Sequence, residues 1–432
     1  MKKNKELEKQ IKEKQLQLNK LISNIDKQND INIKNQFDPE TKIVKRQTAS
    51  FAKKQFNPLD EYKTPTLIGL NNIGATCFMN STLQCLSQTK ELTKYFLNEK
   101  NTDRIINNNL ALKNKNSLQL CPVYLDLIHE LWSKTSKKPF SPNEFMETIE
   151  KMNPLFKLGQ AGDSKDFIIF ILEQFHKELK RSLSTDKGTT KPELNQYDKE
   201  NALNYFFDEF IEECSIISDT FFGFNETTNV CLNCKKNYNS KGLANPICYN
   251  YGIFNCLIFP LEEVKNMKNR QMSINNFIQM NNNRVSLYEC FFYNQKTELF
   301  TGENQNYCNI CKQLCDSEYT SRIFSSPNVL ILILNRGRNN IYNVKLDFDE
   351  KIDITNFVLQ KDSPKLIYEL YGVITHIGKS GPYAHFVATC KSPIDNRWYR
   401  YNDGMVNQIY NLQKDIFDFG VPYILFYQIV QS

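Results

Sequence analysis

Residues 69–86 read GLNNIGATCFMNSTLQCL. A turn rich in small residues, Gly74-Ala75-Thr76, delivers Cys77 to an apolar stretch, Phe78–Leu86, whose spacing predicts a helix. A thiol is thereby placed at a helix N-terminus. Unpaired N–H groups and the helix dipole favour negative charge there, so the position suits a nucleophilic thiolate. A structural cysteine opening a core helix fits these 18 residues as well. Asn72, five residues upstream, is placed to offer its side-chain amide to an oxyanion.

A cysteine nucleophile needs a base, and the chain has only four histidines, His129, His176, His376 and His385. Residues 371–390 read YGVITHIGKSGPYAHFVATC, in which His376 and His385 flank a loop rich in Gly and Pro. His385 opens an apolar strand, which would hold its ring on a rigid element. Downstream, Trp398–Tyr401 reads as a strand that ends in Asn402-Asp403. A histidine base needs a third group to accept from its other ring nitrogen. Asn402 and Asp403 both qualify chemically.

Composition narrows the class. A chain of 432 residues, 41% hydrophobic and 24% charged, reads as a soluble globular protein of two or three structural units. The longest apolar run, Val329–Leu334, is far too short to span a bilayer. The opening MKKNKELEKQIKEKQ is basic with no apolar core behind it, so no secretory signal and no membrane role are expected. Net charge is +6, and residues 1–64 alone carry it, with 15 Lys/Arg against 9 Asp/Glu. The remainder is neutral, so no nucleic-acid partner is expected. Thirteen cysteines, an odd number, in a chain read as lacking a signal point to a reducing compartment: intracellular, in cytoplasm, nucleus or both.

Along the chain, residues 1–30 carry Leu and Ile at roughly helical spacing. A partner-binding amphipathic coil and a frayed, solvated helix fit them equally. Residues 31–64 read as a flexible linker. Helices are expected over Val123–Leu131, from a capping box at Ser141-Pro142-Asn143-Glu144 to Glu150, and from Asp163-Ser164-Lys165-Asp166 with Phe167, Ile171, Phe175 and Leu179 as the apolar stripe. Residues 182–205 read as a polar surface loop. From about residue 206 strands dominate: Val329–Leu334, Tyr368–His376, His385–Cys390, Arg397–Tyr401 and Tyr423–Val430. Helices first and strands later argue for an α+β enzyme with a cleft between two lobes.

Two CxxC pairs, Cys231-Leu232-Asn233-Cys234 and Cys308-Asn309-Ile310-Cys311, lie 74 residues apart. Together they make the four-sulfur set that Zn²⁺ prefers, pictured as two hairpins clamped at a tip. With no open position expected, the site is structural and supplies on the order of 10 kcal/mol of folding energy. Cys315 offers a competing sulfur.

The segment around Cys77 resembles the Cys box of the ubiquitin-specific protease family of deubiquitinating enzymes. Residues 371–403, from YGVITH to WYRYND, resemble its His box, and the CxxC pairs resemble its fingers zinc site. The resemblance spans about residues 65–430. It implies a papain-like cysteine protease fold: a thumb over about 65–205, then palm and fingers over about 206–430, with zinc-tipped β fingers over about 222–322. It implies that Cys77 is the nucleophile, His385 the base, Asn402 the third catalytic residue, Asp403 a helper and Asn72 the oxyanion donor. Asp163, Asp166 and His376 fall where the family holds the basic C-terminal tail of ubiquitin. The implied activity is thiol-dependent hydrolysis of the peptide or isopeptide bond after the C-terminal Gly of ubiquitin, through a thioester, on ubiquitin or its conjugates. Structural zinc is the implied metal, with no catalytic cofactor. Two departures stand out: Gln160-Ala161-Gly162-Asp163 alters a family box, and Tyr383-Ala384 replaces the residue usually found before the catalytic His. The alternatives are an inactive ubiquitin-binding scaffold and a protease for another ubiquitin-like modifier.

Overall fold

The structure is a computed structural model that describes residues 57–113, 119–180, 193–210, 214–241, 246–276, 283–337, 344–360, 365–378 and 384–430. The expectations for residues 1–30 and for most of the 31–64 linker lie outside the described residues. The end of that linker is corrected. Pro58–Glu61 form a 3-10 turn capped by the Asn57 side chain. Leu59 is buried, and the Tyr62 hydroxyl donates to the Trp132 carbonyl at 2.8 Å. Two apolar anchors tie this segment to the helices that follow.

The helical part comprises Cys77–Ser87, Lys90–Phe96, Glu99–Lys113, Cys121–Leu131, Asn143–Met152 and Ser164–Leu179. Every residue of the Cys77 helix is buried, so it forms the axis around which the others pack. Phe78 stacks on Phe156 and meets Phe167 edge-on, while Tyr124 packs between Phe96 and Phe175. The expected stripe Phe167, Ile171, Phe175 and Leu179 is buried, and Asp163 caps its helix by accepting from the Lys165 amide at 2.9 Å. The box at Ser141 does not form: that hydroxyl accepts from Asn71 Nδ2 at 2.9 Å, and Pro142 takes the cap position. The expected polar loop is also corrected in part, because Lys199–Phe210 is helical. Its apolar side is concentrated at the far end, where Phe206, Phe207 and Phe210 close on Phe224.

The palm is a twisted sheet with strand order Met405–Ile409, Trp398–Asn402, His385–Lys391, Ile367–Ile377, Val421–Ile429, Val329–Asn335, Leu257–Pro260, and with Lys351–Asp353 added beside Ile367–Ile377. All pairings are antiparallel except the last in that order. Val329–Leu334 shows why the run is apolar throughout. Val329, Ile331 and Ile333 join the core shared with the helices, while Leu330, Leu332 and Leu334 join a second core on the opposite face. A strand buried on both sides needs no alternation. Helices also interrupt the later half, at Ile216–Phe221, Leu232–Lys241, Leu261–Asn276, Leu287–Asn294 and Leu412–Phe419.

A second antiparallel sheet, in the order Ile247–Phe254, Gly223–Cys231, Ser317–Ser325, Glu298–Phe300, forms the fingers. The architecture is therefore α+β, with thumb, palm and fingers. No helix among the described residues is long and apolar enough to cross a membrane.

Candidate active site

The Cys77 helix lies against the palm strand that His385 opens. Cys85 and Cys390, one from each element, bring their sulfurs to 3.6 Å in the core. Cys77 and His385 lie upstream of this contact on the same two elements. Asn402 closes the neighbouring strand, where Ala388 pairs with Tyr401. His385 Nε2–H donates to Asn402 Oδ1 at 2.7 Å, leaving Nδ1 for the sulfur. Donation from the protonated His385 ring to the Cys77 sulfur raises the His385 pKa from 6.5 to about 9. Burial opposes this rise, and the Asn402 hydrogen bond adds to it. The ring is thus held as an imidazolium at neutral pH, the partner that favours a thiolate.

The approach to Cys77 is shaped by Gly74 at φ +136° and Ala75 at φ +55°, two consecutive residues in left-handed conformations. Asn72 holds this bend. Its Oδ1 accepts from the amides of Gly74 at 3.2 Å and Thr76 at 3.1 Å, satisfying donors at the helix start. Its Nδ2 donates to Asp403 Oδ2 at 3.1 Å. A primary amide has two N–H groups, and this bond engages one of them. Asp403 sits at φ +47° and gives its carboxylate to two amides, with Oδ1 accepting from Asn80 Nδ2 at 2.8 Å. Asp403 therefore touches Asn72 and acts on His385 only through its charge.

These segments interlock. Leu70 N–H donates to the Asp403 carbonyl at 3.0 Å, and Asn71 N–H donates to the Phe140 carbonyl at 2.8 Å. Asn80 was not legible as a site residue. Nothing in the run after Cys77 singled it out, since Ser81, Thr82 and Gln84 are polar there as well.

The three expected tail-binding residues have different surroundings. The Asp163 carboxylate receives the Tyr423 hydroxyl at 2.8 Å to each oxygen, and the Lys165 ammonium lies 3.0 Å away. Asp166 is exposed one position beyond Lys165. His376 is corrected: 3% exposed, its ring packs on Phe386 and Tyr423, and burial lowers its pKa. It lies within the strand Ile367–Ile377, enclosed by those two rings, and not in the loop where the sequence placed it.

At the fingers, Cys231, Cys234, Cys308 and Cys311 place their sulfurs within 4.8 Å of one another. Cys311 N–H donates to Cys308 Sγ at 3.4 Å, and Lys312 follows at φ +55°, the tight turn that aims both sulfurs inward. The other pair is not on a hairpin, since Cys231 ends a strand and Cys234 lies in the helix that follows. Four converging thiols that form no disulfide suit a tetrahedral Zn²⁺. Cys315 is buried beside them but outside the mutual set, and it accepts from Asn233 Nδ2 at 3.5 Å.

The sequence matches the family described as ubiquitin carboxyl-terminal hydrolase over residues 68–427. It is 26% identical over 371 residues to ubiquitin carboxyl-terminal hydrolase 2 of Bos taurus, covering 84% of this chain and 55% of that protein. It is 27% identical over 388 residues to ubiquitin carboxyl-terminal hydrolase 21 of Bos taurus, covering 84% of this chain and 62% of that protein. The chain thus spans little more than half the length of these relatives. Among solved structures, the SAGA Ubp8/Sgf11/Sus1/Sgf73 DUB module bound to ubiquitin aldehyde aligns with TM-score 0.56 at 22% identity, covering 86% of this chain and 71% of that one. A yeast SAGA DUB module aligns with TM-score 0.58 at 22% identity, covering 86% and 70%. At such identities the likeness concerns the fold.

Proposed function

The chain belongs to the ubiquitin carboxyl-terminal hydrolase family, and on that premise we propose that it is a cysteine-dependent deubiquitinase. It hydrolyses the peptide or isopeptide bond after the C-terminal Gly of ubiquitin. The observation that carries this reading is the meeting of Cys77 with His385, which is itself hydrogen-bonded to Asn402.

The Cys77 thiolate attacks the Gly carbonyl carbon. The developing oxyanion is stabilised by the Cys77 backbone N–H and the free N–H of the Asn72 amide. His385, protonated at Nδ1, gives its proton to the leaving amine, and the acyl group remains on sulfur as a thioester. The now neutral His385 takes a proton from water, which attacks the thioester and releases ubiquitin. Asn402 holds the ring so that Nδ1 faces the sulfur in both steps. Asp403 fixes Asn72. Asp163 and Asp166 offer negative charge to the basic tail of ubiquitin, with Asp166 the less engaged of the two. Cys231, Cys234, Cys308 and Cys311 would hold a zinc ion that braces the fingers. Thirteen free thiols suit a reducing compartment, cytoplasm or nucleus.

The test uses a ubiquitin-derived fluorogenic substrate together with an electrophilic ubiquitin probe. Cys77→Ala should lose turnover and labelling while still binding ubiquitin. Full turnover by that variant would overturn the assignment. A wild-type chain that binds ubiquitin but resists the probe would instead mark an inactive scaffold. A panel of other modifiers separates ubiquitin from its relatives.

A further inference from the structure

We infer that Asn80 is a positioning residue for the oxyanion donor: through Asp403 and the chain before Asn72, it sets where the Asn72 amide points. This rests on the oxyanion role proposed for Asn72. Asn80 lies three residues beyond Cys77 on the same helix and is 2% exposed. Its Nδ2 reaches three acceptors: Asp403 Oδ1 at 2.8 Å, the Leu70 carbonyl at 3.2 Å and the Asn71 carbonyl at 3.2 Å. Leu70 and Asn71 immediately precede Asn72. The other oxygen of Asp403 receives Asn72 Nδ2. One buried amide therefore grips the backbone that leads into Asn72 and the carboxylate that holds its side chain.

The orphaned atom argues against a role in packing alone. Asn80 Oδ1 is buried with no partner. An unsatisfied buried acceptor is a cost that an apolar residue of similar size would avoid. What Asn80 supplies in return is donors, and all of them go to the segments that bear Asn72 and Asp403. An oxyanion donor is useful only within about 2.7–3.1 Å of where the charge develops, so a small rotation of Asn72 is enough to lose it. Without Asn80, one oxygen of Asp403 loses its amide, and a left-handed, non-glycine residue loses a support that holds its geometry.

The experiment is a double-mutant cycle on the full chain with a ubiquitin-derived fluorogenic substrate, using wild type, Asn72→Ala, Asn80→Ala and the double variant. Ubiquitin affinity and melting temperature are measured on each. Asn72→Ala should lower kcat by about 10²–10³. Asn80→Ala should lower kcat by about tenfold or more, with KM and ubiquitin affinity changed by less than about twofold. The double variant should match Asn72→Ala within about twofold, because the two residues act as one unit. If Asn80→Ala does not fold, Asn80→Ser takes its place in the cycle, since it removes the amide and keeps a small polar side chain. Losses that multiply, or an Asn80 variant with unchanged kcat, overturn the inference while leaving the Asn72 reading intact. An unchanged kcat in Asn72→Ala overturns the oxyanion reading, and this inference with it.

Discussion

Removing the Cys77 sulfur should return the His385 ring to ordinary acidity. In the folded protein His385 titrates at about 9, and the hydrogen bond with Cys77 is the largest upward cause. The charge of the sulfur adds to it, and burial works in the opposite direction. In Cys77→Ala both sulfur contributions vanish, leaving burial against the Asn402 hydrogen bond and the charge of Asp403. The pKa should then fall to within about a unit of the unperturbed 6.5. At pH 7.5 a pKa near 9 means about 97% imidazolium, whereas 6.5 means about 9%. Four histidines make the measurement tractable: ¹H–¹³C spectra of ring-labelled protein, titrated from pH 5 to 10 in wild type and variant. The linkage follows the same sign. A pKa raised on folding contributes stability that is fully present below about pH 6.5 and lost as pH rises through about 9. A His385 that still titrates near 9 without the sulfur, or near 6.5 with it, would refute the ion-pair reasoning.

Two further outcomes are expected. Cys308→Ser should lose bound zinc and expose the fingers to proteolysis, whereas Cys315→Ser should keep one zinc per chain by elemental analysis; equal losses would redraw the ligand set. Gly69→Ala should lower both the melting temperature and the turnover, because a Cβ there would lie 2.5 Å from the Gly404 carbonyl oxygen, backbone against backbone. Overpacking of this kind typically costs about 1–3 kcal/mol. An unchanged melting temperature would show that the two segments can separate freely.

Local chemistry made much of this protein legible from its sequence. The Cys77 helix, the Asp163 cap, the apolar run Val329–Leu334 and the spacing within each CxxC pair are all written in adjacent residues, and short-range spacing records such neighbours. The family resemblance lay in those same contiguous boxes, and the match over residues 68–427 bears it out. Reading failed where a side chain was recruited by a distant partner. Ser141 looked like a helix cap, but Asn71 takes its hydroxyl. His376 looked available, but Phe386 and Tyr423 enclose it. Residues 57–62 looked like linker until Leu59 and Tyr62 met the helices.

The division between Asn402 and Asp403 belongs to the tertiary structure alone. Both are adjacent in sequence and chemically able to orient an imidazole. Which one does so depends on the left-handed turn at Asp403, which sends its carboxylate to Asn72 and Asn80, some 330 and 320 residues away along the chain. Spacing can announce that a nucleophile, a base and an orienting group exist. Only packing of the Cys77 helix against the palm strands decides which atoms meet, because hydrogen bonds depend on tenths of an ångström that no periodicity encodes.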